Sequence, residues 1–282
     1  MIVPTYNYAR FLRESIESLQ AQTFGDWECI VIDDGSTDDT RDIVAALLAR
    51  DNRIRYFWRE HTGVSAARNI GLAASSAPYI QFLDADDLLE PDKLRIHVEY
   101  LDRHVSVAIV YGDAATFGTR SVEAAVSALD LGAPIGTGLS AIMPLVVRNG
   151  LVIHAPLSRH EAIESAGAFR EDLFLLEDWD LWMRCAVGGF AFAREAQEGA
   201  RALVRVHPHG ASRDPDRMMA ATLNLRRRFA AIDLAPEAES CNERFLARAE
   251  VKLAVSYLRR GSWLRAATKL VRTMPRLRDV FR

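Results

Sequence analysis

Apolar and polar positions along the first 112 residues switch repeatedly between two periods. Met1–Pro4 reads as the end of a strand, and Phe11, Leu12, Ile16 and Leu19 then recur at the spacing of one helix face. Trp27–Ile32 is a short apolar run ending on Asp33 and Asp34, followed by a helix through Ile43, Val44, Leu47 and Leu48. Ile54–Trp58 reads as a strand among arginines, Val64–Ala74 as an Ala-rich helix and Tyr79–Leu83 as a strand. Pro91 opens the next helix at its favoured first-turn position, and Val107–Tyr111 is a further strand. Strands alternating with helices predict an α/β fold: a mostly parallel, Rossmann-like sheet with helices on both faces. Ligands of such sheets bind at the carboxyl ends of the strands, where several of these runs meet acidic or polar clusters.

The pattern weakens over residues 114–150, where Pro134, Gly136 and Gly138 fall close together; this stretch is expected to be loop. Residues 160–190 return to helices, with Gly188-Gly189 as a stop, and from about residue 215 the chain reads as a helical C-terminal tail. There is no internal repeat and no low-complexity segment.

With 282 residues, 49% of them hydrophobic and 26% charged, the chain can bury an ordinary core. Cys29, Cys185 and Cys241 are far apart and form no CxxC pair. That argues against a disulfide framework or a zinc site and points to a reducing, cytoplasmic compartment. Nothing resembles a signal peptide, and no apolar run approaches the ~18 residues of a spanning helix. The net charge of −3 hides an asymmetry: residues 241–282 carry eleven Lys or Arg and three acids, leaving −11 for residues 1–240. An acidic body speaks against nucleic acid as a partner, and a basic tail suggests an anionic surface. From Trp263 the residues Trp263, Ala267, Leu270, Val271 and Met274 share one helical face, with Arg265, Lys269 and Arg272 toward another. Two readings of residues 257–282 stay open. One is an interfacial helix touching the inner face of a membrane; the other is a helix packed on the acidic body.

Chemistry concentrates in five strings. Phe82-Leu83-Asp84-Ala85-Asp86-Asp87 sets three carboxylates straight after an apolar strand, where they repel one another unless a cation is present. Oxygen ligands of this kind suit Mg2+ or Mn2+, and Asp84 and Asp86 can converge on one metal and a bound diphosphate. Asp33-Asp34-Gly35 ends a strand and turns. Ser36, Thr37 or Asp38 then can cap the next helix, while Asp34 is suited to accept the N–H of a nucleobase, with Asp33 supporting it or meeting a ribose. In Gly63–Gly71 small residues favour close helix–sheet packing, and Arg68 is expected to balance the aspartates or meet a phosphate. Glu177-Asp178 begins a helix that continues Trp179-Asp180-Leu181-Trp182. Acids there suit the helix dipole, and the same geometry can present Asp178 to an acceptor hydroxyl as a general base. Finally, His207 follows a strand in Val204-Arg205-Val206-His207-Pro208-His209 and can reach a metal or phosphate.

In order and spacing, IVPTYN, DDGSTDDT, GVSAARNIG, FLDADD, EDWDLW and RVHPHGAS resemble the family 2 glycosyltransferases of GT-A fold, over roughly residues 1–213. The resemblance implies a nucleotide-sugar-binding half (1–112), an acceptor-side half (113–213) and a helical extension (214–282). It implies that Pro4, Tyr6 and Asp34 hold the nucleobase, that Asp84 and Asp86 form the metal-and-diphosphate motif, that Asp178 is the catalytic base and that His207 closes the site near the metal. It further implies an inverting transfer from a nucleoside diphosphate sugar, UDP-linked by expectation, to a glycan or lipid-linked hydroxyl in polysaccharide synthesis. One departure concerns the first strand. Only Met1, Ile2 and Val3 precede the PTYN turn, where the family usually has several apolar residues; a central strand so shortened should cost stability, and a misplaced start codon would account for it.

Two other readings compete. With a polyprenyl phosphate as acceptor, the same base would not be needed. In a non-catalytic module that only binds nucleotide sugar or glycan, one of Asp34, Asp84, Asp86 or Asp178 should be lost, and all four are present.

Overall fold

The computed structural model describes residues 1–118, 122–126, 132–207, 214–259 and 261. The described chain divides into two compact units, one from Met1–Leu145 and Asn149–Pro208, the other from Val146–Arg148 and His209–Arg282.

The first unit begins with β1 (Ile2–Thr5), α1 (Ala9–Gln20), β2 (Cys29–Asp33), α2 (Thr40–Leu48), β3 (Ile54–Trp58) and α3 (Val64–Ala74). Strands β1, β2 and β3 lie side by side and parallel, with Thr5 opposite Asp33 and Asp33 opposite Trp58. Both faces are covered, as the unbroken apolar run of β2 demands. Cys29 and Val31 pack with Leu12, Ile16, Val44 and Leu47 of α1 and α2, while Ile30 and Ile32 point to the other face against Ala67 of α3. Close approach of α3 depends on Gly71, where a Cβ would lie 2.4 Å from the Ile2 side chain.

Strands β4 (Tyr79–Gln81) and β5 (Leu88–Leu89), helix α4 (Lys93–Arg103) and strand β6 (Val107–Tyr111) follow. Phe82, just past β4, bridges to Ile2 in parallel, which sets the acidic string beside the end of β1. Helix α4 starts at Lys93 with Asp92 at its cap, so Pro91 lies just before the helix instead of in its first turn. Residues 114–150, expected as loop, contain β7 (Ala114–Phe117), β8 (Val122–Val126) and α5 (Leu139–Val147). The strands are rich in alanine, a residue depleted in sheets, and so carry little sequence signal; β7 is held by pairing on both sides. The unit closes with β9 (Pro156–Arg159), α6 (His160–Ser165), α7 (Glu177–Val187), β10 (Ala191–Arg194) and β11 (Ala202–Arg205). Their sheets are mixed, in the orders β10-β6-β9-β4 and β5-β11-β7-β8. The α/β class and its parallel strands β1, β2 and β3 match the sequence reading, with antiparallel pairing added by β5, β8 and β9.

In the second unit, α8 (Pro215–Phe229) and α9 (Pro236–Arg259) pack through Leu223, Leu246 and Ala249. Asp214 caps α8, accepting from the Asp216 and Arg217 amides, with Pro215 in the first turn. The buried Arg226 donates to the Val146 and Val147 carbonyls at 2.8 and 2.9 Å. The helical extension is thus present as far as it is described; the amphipathic stretch from Trp263 lies outside the described residues. Among the described residues no helix is long and apolar enough to cross a membrane.

Candidate functional site

Several chain segments converge at the carboxyl ends of β1, β2 and β4. Pro4 is buried within β1 opposite Ile32, and Tyr6 emerges beyond the strand, 40% exposed. Asp33 ends β2 fully buried, with Oδ1 accepting from the Ser36 amide (2.8 Å) and Oδ2 from the Tyr56 hydroxyl (2.6 Å). Its oxygens are therefore engaged by the chain itself, which shapes the turn that carries Asp34. The Asp34 carboxylate gathers the loop before α3: Oδ1 accepts from the Thr62 amide at 3.0 Å and Oδ2 from the Gly63 amide at 2.7 Å. The cap position of α2 is Asp39, without a side-chain bond, instead of Ser36, Thr37 or Asp38; Asp38, one residue earlier, accepts from the Thr40 amide and from the Ala9 amide at the start of α1, tying the turn after β2 to the one after β1.

The acidic string sits on the turn after β4. Arg68, buried on α3, donates to Asp84 Oδ1 at 2.7 Å and to Glu177 Oε1 at 2.6 Å. Burial opposes its charge, but Asp84 and Glu177 more than restore it. Asp86 meets His207 Nε2 at 2.8 Å. Asp87 accepts from the Arg205 amide at 2.7 Å and lies 3.3 Å from His154 Nδ1. Burial and the neighbouring carboxylates raise the pKa of both Asp86 and Asp87 above the ordinary aspartate range. Burial is the larger cause in both, and crowding among the carboxylates adds to it. Among the described residues no three His, Cys, Asp or Glu side chains are gathered as a ready-made metal cage. The carboxylates of Asp84 and Asp86, with the His207 nitrogen beside Asp86, would suit a hard divalent cation such as Mg2+ or Mn2+.

Asp178 lies half-buried in the first turn of α7. Its Oδ2 accepts from the Asn149 side-chain amide at 2.9 Å and its Oδ1 from the Trp179 amide at 2.7 Å. Withdrawal from water, and then the charge of Glu177, push its pKa up to about 7. A carboxyl of that strength is matched to proton transfer near neutral pH.

The structure thus brings Asp84, Asp86, Arg68 and His207 together, sets Asp178 beside the Glu177 that Arg68 holds, and keeps Tyr6 and Asp34 on the β1–β2 edge of the same end. Several participants escaped the sequence reading. The rings of Tyr8 and Phe11 lie 6.0 and 5.1 Å from that of His207, and Arg205 donates to the Asp86 carbonyl at 2.7 Å. Asn149, His154 and His61 were missed as well. Asn149 and His154 carry no local sequence signal, because each is recruited from a distant segment, whereas Tyr8 and His61 stand just outside noted strings. Arg205 alone stands inside a noted string.

Residues 1–127 match the family described as Glycosyl transferase family 2. An uncharacterized glycosyltransferase of Rickettsia felis is 40% identical over 104 residues, 37% of this chain and 17% of that protein. The glycosyltransferase GlyA of Streptococcus pneumoniae is 42% identical over 92 residues, 33% of this chain and 13% of that protein. An uncharacterized protein, y4gI, of Sinorhizobium fredii is 33% identical over 191 residues, 66% of this chain and 20% of that protein. The matched stretches thus cover a fifth or less of these relatives' lengths. Among solved structures, S. aureus TarS 1-349 in complex with UDP-GlcNAc superimposes with TM-score 0.70 at 18% identity, covering 96% of this chain and 80% of that one. The mannosyltransferase PcManGT from Pyrobaculum calidifontis, in complex with GDP-Man and Mn2+, gives TM-score 0.63 at 20% identity, covering 97% and 74%. At such identities the likeness establishes the fold, the GT-A arrangement.

Proposed function

We propose that this chain, whose first 127 residues match glycosyl transferase family 2, transfers a sugar, with inversion, from a nucleoside diphosphate donor to an acceptor hydroxyl. The observation that carries this reading is the double ion pair of Arg68. One buried guanidinium holds Asp84 of the acidic string and Glu177 beside Asp178, so the diphosphate side and the proton-accepting side form a single electrostatic unit.

In this reading Tyr6 and Asp34 receive the nucleobase, with UDP the first candidate, from a cradle that Pro4 and Asp33 shape. Asp84, Asp86 and His207 would hold Mg2+ or Mn2+. The cation would offset the charge that develops on the departing diphosphate. Arg68 orients Asp84. Asp178, kept in place by Asn149, takes the proton of the acceptor hydroxyl as its oxygen attacks the anomeric carbon from the face opposite the leaving group. The raised pKa of Asp178 favours a hydroxyl acceptor over a lipid phosphate, which would already be ionised and would need no base. The acceptor is then a glycan or lipid-linked sugar in polysaccharide synthesis. In this reading the reaction takes place in the cytoplasm, and residues 257–282 would contact the inner membrane face.

The test is a panel of UDP- and GDP-sugars incubated with the protein and Mg2+ or Mn2+, reading released nucleotide. Slow donor hydrolysis is expected, lost in excess EDTA and in Asp86→Ala together with donor binding. Hydrolysis that continues undiminished in EDTA would overturn the metal-dependent reading.

A further inference from the structure

The imidazole of His61 already makes the two contacts that the nucleobase reading assigns to Tyr6 and Asp34. Its ring stacks on that of Tyr6, with centroids 4.1 Å apart and planes 22° from parallel. Its Nδ1 lies 2.8 Å from Asp34 Oδ2 and 3.1 Å from the Asp34 main-chain carbonyl. Both partners are acceptors, so Nδ1 carries the hydrogen. A flat ring lying on a tyrosine and donating an N–H to the aspartate is what a uracil or guanine edge would also present.

The rest of the Asp34 carboxylate is occupied. Thr62 and Gly63 donate their amides to Oδ1 and Oδ2, so an incoming base that seeks Oδ2 competes directly with the imidazole. The main chain around His61 is pinned while its ring is not. Gly35, at φ 85, closes on this segment so tightly that a Cβ there would lie 2.9 Å from the His61 nitrogen. The Asp34 contacts hold the two residues that follow. The His61 side chain, by contrast, is 54% exposed and has water to move into.

We propose that His61 is an in-chain stand-in for the nucleobase, rotating out of the Tyr6–Asp34 slot when nucleotide enters and thereby setting the affinity for the donor. This rests on the reading of Tyr6 and Asp34 as the nucleobase site. The main-chain amides of Thr62 and Gly63 keep Asp34 in position throughout, so the exchange swaps one stacked ring and one N–H for another. Apparent affinity is then the intrinsic affinity multiplied by the fraction of molecules in which the ring is out.

Calorimetric titration of the whole chain with UDP, and in parallel GDP, in the presence of Mg2+ tests it. His61→Ala is expected to bind the preferred nucleotide about 5- to 10-fold more tightly than the parent, since a stack and a hydrogen bond need no longer be broken. His61→Gln, which keeps a side-chain N–H but loses the aromatic face, should fall between the two. Unchanged or weaker binding by His61→Ala overturns the proposal, the weaker case making His61 a direct nucleotide contact. Tyr6→Ala separates the two levels: if it leaves affinity unaltered, the nucleobase site itself is misassigned, whereas weakened binding there with no gain in His61→Ala sinks only the role of His61. Should His61→Ala fail to fold, the imidazole proton signals of the parent, assigned by their loss in His61→Gln, are followed during UDP titration. A shift to the position of a solvent-exposed histidine is expected, and signals that stay in place would overturn the exchange.

Discussion

Arg68 and Glu177 form an ion pair 109 residues apart in sequence, at 2.6 Å, with the arginine almost wholly buried. Removing the guanidinium leaves Glu177 with an uncompensated charge and frees Asp84 as well. Arg68→Met is therefore expected to lose about 3 kcal/mol of stability, tempered by the third of Asp84 that remains open to water. Arg68→Lys should recover little, because one ammonium does not reproduce a fork that reaches two carboxylates. Urea unfolding reads both. A loss under about 1 kcal/mol for Arg68→Met would show that the pair contributes nothing beyond a surface bridge.

In its proposed role as base Asp178 works only when ionised, so transfer should rise with pH through about 7, where burial and Glu177 have pushed its pKa. Asn149 donates to the carboxylate and favours the charged form. Asn149→Ala should thus move the rising limb upward by about one pH unit while nearly preserving the high-pH plateau. Asp178→Asn should keep donor binding and lose about 10²–10⁴-fold in turnover. A plateau that drops with no displacement of the limb would assign Asn149 to packing alone.

Lys93 opens α4 with its ammonium fully buried, donating to Gln81 Oε1 at 3.0 Å and the Ala155 carbonyl at 2.8 Å and lying 3.1 Å from His97 Nδ1. Burial pulls its pKa down to about 7. Between that value and about 10.5 the unfolded chain binds the proton more tightly, so stability rises with pH by up to about 1.4 kcal/mol per unit. Below about 7 both states are protonated and this slope vanishes. Lys93→Met should abolish the slope, measured as the difference in unfolding free energy between pH 7 and pH 9. The same pH dependence in variant and parent would place its origin elsewhere.

The basic stretch 257–282 is expected to bring the protein to anionic vesicles, each Lys or Arg near the surface contributing about 1 kcal/mol. Co-sedimentation should weaken with salt and vanish when residues 257–282 are deleted. If the intact protein fails to sediment with vesicles at low salt, the stretch serves packing only.

The local chemistry of this chain was legible in its sequence. Apolar period marked β2, β3, α1 and α3 because each buries a face against the layer beside it, and the acids at strand ends stood out because nothing local neutralises them. Alanine-rich β7 and β8 escaped, since their strand state comes from pairing with partners far along the chain. The site divides the same way. Asp34, Asp84, Asp86 and Asp178 were visible as acids at strand and helix ends, but the partners that set their charge and direction were not. Arg68 reaches Glu177, His207 reaches Asp86, Asn149 reaches Asp178, and His61 stacks on Tyr6 only after separate segments have been folded against the parallel strands. Periodicity is a property of neighbouring residues and can be read along the chain. Which donor meets which carboxylate depends on loop closure across tens to hundreds of residues, and that was decided by the tertiary structure alone.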